Sequence, residues 1–593
     1  MSMVAKARSL SAIGSAYPRL NRARPAWRTT ICKIAAPRNK SRNATLSPLA
    51  GGLAAAATPP GASTCVNAGL LIDGGDCVLV LERIKFIAVA NIQVQSSPPK
   101  RSAELTDAET PHERPSHQRP LIVDLDGTLT PADTLVEAVI RLAARRPLAF
   151  ARALVALTRG RAAFKRAIFD IDGFDPETTP YRPEVVALAR RARAAGGGSH
   201  LVTGADQRVA NAVADHLGVF DSAVGSSGDV NLTGAAKADY LRARFPNGFA
   251  YVGDSSADRP VFAAATQRVV VASPGRAQRL LGASPDASER IVDDRATFAD
   301  WIKTLRIHHW VKNLLIFVPL VLSQRFMEAE AVAAAAVGYV AFGFVASACY
   351  LFNDLFDLDA DRAHPRKHRR AIAAGRIPAA RALTFAVAGA CAGLGVAAAI
   401  DPDFAKWAAI YFGLAIAYSL KLKRIPLTDL FVIGLLFTLR LVAGMTILDE
   451  PVSFWLTSFA FAFCASLAFA KRTSELALAH ANGDPAPSGR GYRVDDRHLL
   501  TAFGVSAAIA AMIVMSLYFQ FKAMTIGHYD DAEWLYFIPL VLFSWTMRIW
   551  VRAHRGELRD DPIIFALKDR VSWLHGAAIV LIWQIADKPG FPG

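Results

Sequence analysis

The sequence predicts two unlike folds in one chain: a soluble α/β domain built on a parallel sheet, then an all-α, multi-pass membrane bundle. Three observations carry this. Between residues 118 and 292, short apolar runs (Leu121-Ile-Val, His200-Leu-Val, Phe249-Ala-Tyr-Val) each end in a polar motif, as parallel strands do at their C-terminal ends. From Trp310 onward long apolar runs take over, several reaching the ~20 residues that a bilayer span needs. The chain is also 593 residues long, 52% hydrophobic and only 20% charged, which is too long for one domain and suits a soluble part joined to a membrane part.

Residues 1–117 read as a disordered or dispensable tail. No Asp or Glu precedes Asp73, and Arg, Ala, Ser and Pro dominate, a composition that resembles a transit peptide. The formal net charge is +16, concentrated in this tail and in loops between apolar runs. It therefore reports membrane topology rather than nucleic-acid binding, for which no motif is present. The six cysteines form no CxxC or Cys/His cluster, which argues against a zinc site or a disulfide framework.

In the soluble part, LIVDLDGTLT places Asp124 and Asp126 just past the first strand. Carboxylates two residues apart on a strand end point the same way and can address one metal and one phosphate. Thr203 ends the next strand, Lys237 follows a turn, and Gly253-Asp254-Ser255-Ser256-Ala257-Asp258 closes the set. In order and spacing these residues resemble the four motifs of the haloacid dehalogenase superfamily. The resemblance implies a Rossmann-like phosphatase domain over 118–292, with a helical cap insert at 130–198. It implies Asp124 as nucleophile, Asp126 as general acid/base, and Thr203 and Lys237 on phosphate oxygens. Asp254 and Asp258 would complete a Mg²⁺ site with Asp124 and Asp126. Inside the insert, residues 145–169 mix Arg and Lys with Leu, Phe and Val at helical spacing. Two readings stand for that stretch: a basic amphipathic surface on the inner leaflet, or a cap helix packed on its own domain.

After a linker at 293–309, the membrane part spans 310–593 with about nine expected transmembrane helices. Alternate loops are rich in Arg and Lys, which puts those loops, and the phosphatase-like domain, in the cytoplasm by the positive-inside rule. The localisation expected is thus a multi-pass protein of the inner or plasma membrane. The second apolar run ends in Asn353-Asp354-Leu-Phe-Asp357-Leu-Asp359-Ala-Asp361. On one helix, Asn353, Asp354, Asp357 and Asp361 fall within an arc of about 100°, while Asp359 points away. Three carboxylates on one stripe at a membrane surface call for a divalent cation.

This NDxxDxxxD pattern resembles the first Asp-rich motif of UbiA-type intramembrane transferases, in which it holds Mg²⁺ against a diphosphate leaving group. The second Asp-rich motif of the aromatic prenyltransferases is missing. In its place stand Lys471, Arg472 and Glu475, then Arg490, Tyr492 and Arg493. With Trp310, Lys312-Asn313, Asp561 and Asp569, these are similar to the polyprenyl-phosphate (decaprenyl-phosphate) phosphoribosyltransferase branch, although Ala371 stands where that branch has Pro. The resemblance implies transfer of 5-phosphoribose from phosphoribosyl pyrophosphate to a polyprenyl phosphate. Lys312, Asn353, Arg366, Lys367, Lys471, Arg472, Glu475, Arg490, Tyr492, Arg493 and Asp561 are the expected substrate contacts. Arg440, a charge inside an apolar run, joins them as a candidate. The alternative is a prenyltransferase acting on an aromatic acceptor. Association into a homo-oligomer is left open.

Overall fold

The computed structural model describes residues 119–586 apart from 228–229, 282–287, 294–295, 484–489, 524–530 and 559–560; the expected tail lies outside them. Six strands form one parallel sheet in the order β3-β2-β1-β4-β5-β6. They are β1 Leu121–Val123, β2 Ser199–Asp206, β3 Ser222–Ser226, β4 Ala250–Gly253, β5 Gln267–Val271 and β6 Ser288–Ile291. Strand β1 is central and buried on both faces, which explains its unbroken apolar run. Alternation sends Leu121 and Val123 into one core with Leu201, Val209 and Val252. Ile122 enters the other with Val202, Tyr251 and Val270.

Between β1 and β2 the chain forms the helices Thr134–Arg145, Pro147–Val155, Arg161–Asp172 and Pro183–Ala194. The first starts where its sequence says it should, because the Asp133 side chain accepts a hydrogen bond from Val136 N.

In the membrane part the described residues contain six helices long and apolar enough to cross a bilayer: Ala329–Phe356, Ala379–Ile400, Thr428–Ile447, Phe454–Ala481, Val494–Phe521 and Ala532–His554. A seventh is counted if Phe298–Leu305 and Ile307–Leu322, which meet at a 41° bend, make one span. The expected count of nine is not reached, for physical reasons. The apolar run at 312–324 lies partly in a 3₁₀ coil, Ile307–Phe317, rather than in a straight helix. The helix Pro402–Leu420 carries Asp403 and Lys406 at its start, and Arg570–Ala586 has only 17 residues.

Residues 298–305 of the expected linker are helical. Thr297 caps this junction helix, Trp301 and Leu305 pack with Leu351, Leu355 and Ile377, and Arg306 ends it in the left-handed region. The two domains also touch directly. Ile140, on the first insert helix, is buried in that same membrane-domain cluster. Gly375 has φ +74°, and a Cβ there would lie 2.4 Å from Pro131 Cγ, so only glycine lets this loop approach the phosphatase-like domain. Arg362 donates two hydrogen bonds of 2.8 Å to the Glu137 carboxylate, with each side chain only 7% exposed. Removing one partner strands a buried charge, at a cost of about 3–5 kcal/mol. Arg362→Ala is therefore expected to lower stability by that order, and Glu137→Gln in the same chain to restore part of it. Thermal unfolding of the four-member double-mutant cycle checks this. A loss below about 0.5 kcal/mol would mean that the pair behaves as an ordinary surface contact.

Candidate functional sites: a phosphatase centre and a transferase centre

The first centre lies at the C-terminal ends of β1, β2 and β4, around a cavity of about 410 Å³. Asp124 follows β1, Thr203 lies in β2, and Asp254 and Asp258 follow β4. Lys237 comes from the helix Ala235–Arg244 and is 2% exposed. Its Nζ sits 2.8 Å from Asp124 Oδ1 and 3.7 Å from Asp258 Oδ1. Asp124, Asp254 and Asp258 each offer an oxygen, all within 4.8 Å of one another. Asp126 is not in this trio. Its carboxylate instead accepts bonds from Thr134 N at 2.9 Å and Thr134 Oγ1 at 3.4 Å, at the start of the insert. Gly127, with φ +78°, lets the loop pass beside Asp254, whose Oδ1 would be 2.5 Å from a Cβ.

Crowding buried carboxyls raises their pKa values. Burial first, and then Asp133, pushes Asp126 up to about 8. Burial and the neighbouring Asp124 push Asp254 to about 7. Burial also raises Asp124, although Lys237 opposes it. Sequence reasoning missed three participants. The Tyr251 hydroxyl, from inside β4, donates to Asp258 and accepts from Lys237, both at 2.8 Å. Arg276 holds Asp254 at 3.1 Å. Lys165, from the insert, reaches the cavity and donates to Gly204 O at 2.6 Å and Asn231 Oδ1 at 2.8 Å. Only Tyr251, a polar tip in an apolar strand, carried a readable signal.

The second centre begins where the helix Ala329–Phe356 ends. Asp357 breaks it, and a short helix Leu358–Ala363 continues with Asp361 N bonded to Asp357 O at 2.8 Å. The expected stripe of three carboxylates divides in two. Asp354 is shared by Arg306 at 2.5 Å and Arg370 at 3.2 Å, and Arg370 also holds Asp361 at 2.5 Å. Asp357 pairs instead with Lys423, whose Nζ also donates to Asn353 Oδ1 at 3.0 Å. Asp359 does point away, toward Arg145 at 2.9 Å and Arg141 at 3.4 Å on the first insert helix.

Beside this group, Arg366 and Arg370 line a 370 Å³ hollow with Lys303, Arg306, Arg369 and Arg376. Lys367 is exposed, 3.8 Å from Asp361. A second cavity, of about 210 Å³, is lined by Lys471, Arg472, Glu475, Arg490 and Asp561, with Tyr418 and Phe437. Arg472 bonds Asp429 at 3.0 Å and also pairs with Glu475. Lys312 meets Asp561 at 2.5 Å. Tyr492 is buried and donates to Asp429 rather than facing the cavity. Arg493 is exposed and lines neither hollow. Arg440 does not snorkel. It is 4% exposed and donates to Asn313 Oδ1 at 2.9 Å and Tyr411 OH at 2.7 Å, so it braces the helices. Asp429, Arg306, Arg370 and Lys423 are the participants that the sequence left unmarked.

Fold and sites define the class: an integral membrane enzyme that joins a transferase domain to a phosphatase domain. The family models agree. Residues 315–568 match the UbiA prenyltransferase family and residues 121–263 the haloacid dehalogenase-like hydrolases. The chain is 41% identical over 468 residues to the uncharacterised protein y4nM of Sinorhizobium fredii, covering 79% of this chain and 91% of that one. It is 32% identical over 297 residues to decaprenyl-phosphate phosphoribosyltransferase of Mycolicibacterium smegmatis, covering 47% of this chain and 92% of that one. It is 31% identical over 295 residues to the nodulation protein NoeC of Azorhizobium caulinodans, covering 49% and 92%. The chain belongs to the UbiA prenyltransferase family and carries a haloacid dehalogenase-like hydrolase domain on its N-terminal side.

Proposed function

We propose that the membrane domain transfers 5-phosphoribose from phosphoribosyl pyrophosphate to a polyprenyl phosphate, and that the phosphatase domain then removes the 5-phosphate from the lipid-linked product. Both steps take place at the cytoplasmic face of the inner or plasma membrane. The observation that carries the pairing is Pro378. This residue belongs to the loop after the Asp-rich motif of the membrane domain, yet it lines the phosphatase cavity. The similarity to decaprenyl-phosphate phosphoribosyltransferase supports the first reaction.

In that first reaction an oxygen of the lipid phosphate attacks the ribose anomeric carbon, and the bond to the departing diphosphate breaks. The nucleophile is already an anion, so no general base is required. Lys471, Arg472 and Arg490 line the cavity that would receive a phosphate-rich donor, and Arg306 and Arg370 stand beside Asp354. In the second reaction Asp124 attacks the phosphorus while Asp126, held protonated toward pH 8, gives its proton to the leaving sugar oxygen. Asp126 then takes a proton from water, which attacks the aspartyl-phosphate and releases inorganic phosphate. Lys237 stays beside Asp124 throughout. The phosphatase donor set fits Mg²⁺: Asp124, Asp254 and Asp258 would hold one ion. Asp354, Asp357 and Asp361 are the carboxylates that would serve the transferase, and in this structure Arg306, Arg370 and Lys423 hold them. Bound there, Mg²⁺ would neutralise charge on phosphoryl and diphosphate oxygens.

The direct test incubates membranes holding the protein with labelled phosphoribosyl pyrophosphate and a polyprenyl phosphate, then extracts lipid. Label in the lipid fraction is expected, and its absence with active membranes would reject the reading. A second test uses the raised carboxyls. Asp126 and Asp254 are proton-bound in the fold up to about pH 8 and 7, whereas unfolded they ionise near 3.8. The metal-free fold is then penalised increasingly as pH rises from about 4 to 8. The melting temperature of the phosphatase domain in the full-length chain, with chelator present, should fall across that window and recover with added Mg²⁺. A flat profile that ignores Mg²⁺ would refute the metal assignment.

A further inference from the structure

The insert of the phosphatase domain carries a surface that neither reaction uses. Eight Arg or Lys and no Asp or Glu lie between Arg141 and Phe169. At its tip, the helix Pro147–Val155 and the turn Ala156–Arg159 leave Leu148 78%, Val155 64%, Leu157 51% and Leu154 43% exposed. Arg152, Arg159 and Arg161 stand among these leucines, exposed and with no ion-pair partner among the described residues. A helix that only covered its own domain would bury this apolar face. The opposite side of the insert does so: Leu142, Ala153, Ile168 and Phe169 are buried in the core.

Position says what covers the tip. The preceding helix, Thr134–Arg145, is docked on the membrane domain, with Ile140 among Leu351, Leu355 and Leu358. Its last residue, Arg145, bonds Asp359 just past the end of the helix Ala329–Phe356, itself long and apolar enough to cross a bilayer. The exposed apolar tip begins three residues later, at Leu148. Apolar side chains ringed by unpaired arginines match an interface of acyl chains and anionic headgroups.

We propose that the tip Leu148–Leu157, with Arg152, Arg159 and Arg161, docks into the surface of a bilayer containing anionic phospholipid. The insert is thereby a second membrane attachment of the phosphatase domain, beside its covalent link at the junction helix. This attachment holds the mouth of the phosphatase cavity, into which Lys165 of the same insert reaches, at the lipid surface. The inference does not depend on which reactions the two centres perform.

The test places a fluorescent label on Leu154→Cys in full-length protein whose Cys32, Cys65, Cys77 and Cys391 have been replaced by Ser. The protein is reconstituted in nanodiscs of phosphatidylglycerol or of phosphatidylcholine, with nitroxide-bearing lipid as quencher. Quenching at least about threefold stronger in phosphatidylglycerol is expected, with loss of that difference in Arg152→Glu/Arg159→Glu. Salt should weaken it in the same direction. A label at the exposed Arg190→Cys, on the helix Pro183–Ala194, serves as a control for the rest of the domain and should stay unquenched. Equal, weak quenching at position 154 in both lipids would overturn the proposal. So would protection from aqueous quencher without lipid quenching, which would mean that a second copy of the chain covers the tip.

Discussion

Replacing Asp124 with Asn is expected to leave lipid labelling from phosphoribosyl pyrophosphate intact while the 5-phosphorylated lipid accumulates. Asn is close to isosteric but cannot form the acyl phosphate, so phosphatase turnover should drop by about 10⁴-fold or more. The fold should survive, because the exchange removes a carboxyl whose pKa is already raised by burial. The amide still offers an oxygen to Lys237, at present 2.8 Å from Asp124 Oδ1. Mass analysis of lipid extracted from both proteins reads the ratio of phosphorylated to dephosphorylated product. An unchanged ratio would show that the phosphatase domain acts on some other ester. The transferase reading would stand in that case, because label still enters lipid.

Alanine at Asp354, Asp357 or Asp361 should each cut lipid labelling by about 10²–10³-fold, the scale on which preorganised charge at a transferring group acts. The structure adds a distinction between them. Asp354→Ala and Asp361→Ala each remove one of the two carboxylates that hold Arg370, whereas Asp357→Ala takes from Lys423 its carboxylate partner. The first two should therefore resemble each other in residual donor affinity, and the third should differ. Asp359→Ala is expected to be mild for transfer, because that side chain faces Arg141 and Arg145 across the domain contact. Steady-state labelling across donor and Mg²⁺ concentrations separates these outcomes. Equal, severe losses at all four positions would defeat the assignment of a catalytic face.

The remaining expectations divide along one line. Asp124, Thr203, Asp254 and Asp258 were legible because parallel strands deliver residues to one edge of a sheet at fixed, local offsets, and Lys237, on the helix Ala235–Arg244, through the motif order that it completes. The orientation of Asp359 was legible for the same reason, since helical geometry over eight residues is local. Lys165 and Arg276 were not, because their distance along the chain from the motif residues says nothing about their distance in space, and Tyr251 was readable only as a polar tip in an apolar strand. Arg440 shows the other side: a charge in an apolar run marked it as a candidate, and packing decided that its partners are Asn313 and Tyr411.

The sequence by itself determined the two-part plan, which follows from composition and periodicity, and a motif order that resembles the haloacid dehalogenase set; the single acidic stripe it predicted divides in two in the structure. It expected nine spans, where the described residues hold six helices long and apolar enough to cross, or seven with the bent pair, because apolar composition does not show where a run bends, as at 307–322, or stops short, as in the 17-residue helix Arg570–Ala586. Only the tertiary structure decided that Arg370 bridges Asp354 and Asp361, that Asp357 turns to Lys423, and that Pro378 walls the cavity of the other domain. Those contacts join residues far apart in the chain, and their geometry is set by helix packing and by the buried Glu137–Arg362 pair. Local physics names the groups that can do chemistry, and long-range packing decides which of them meet.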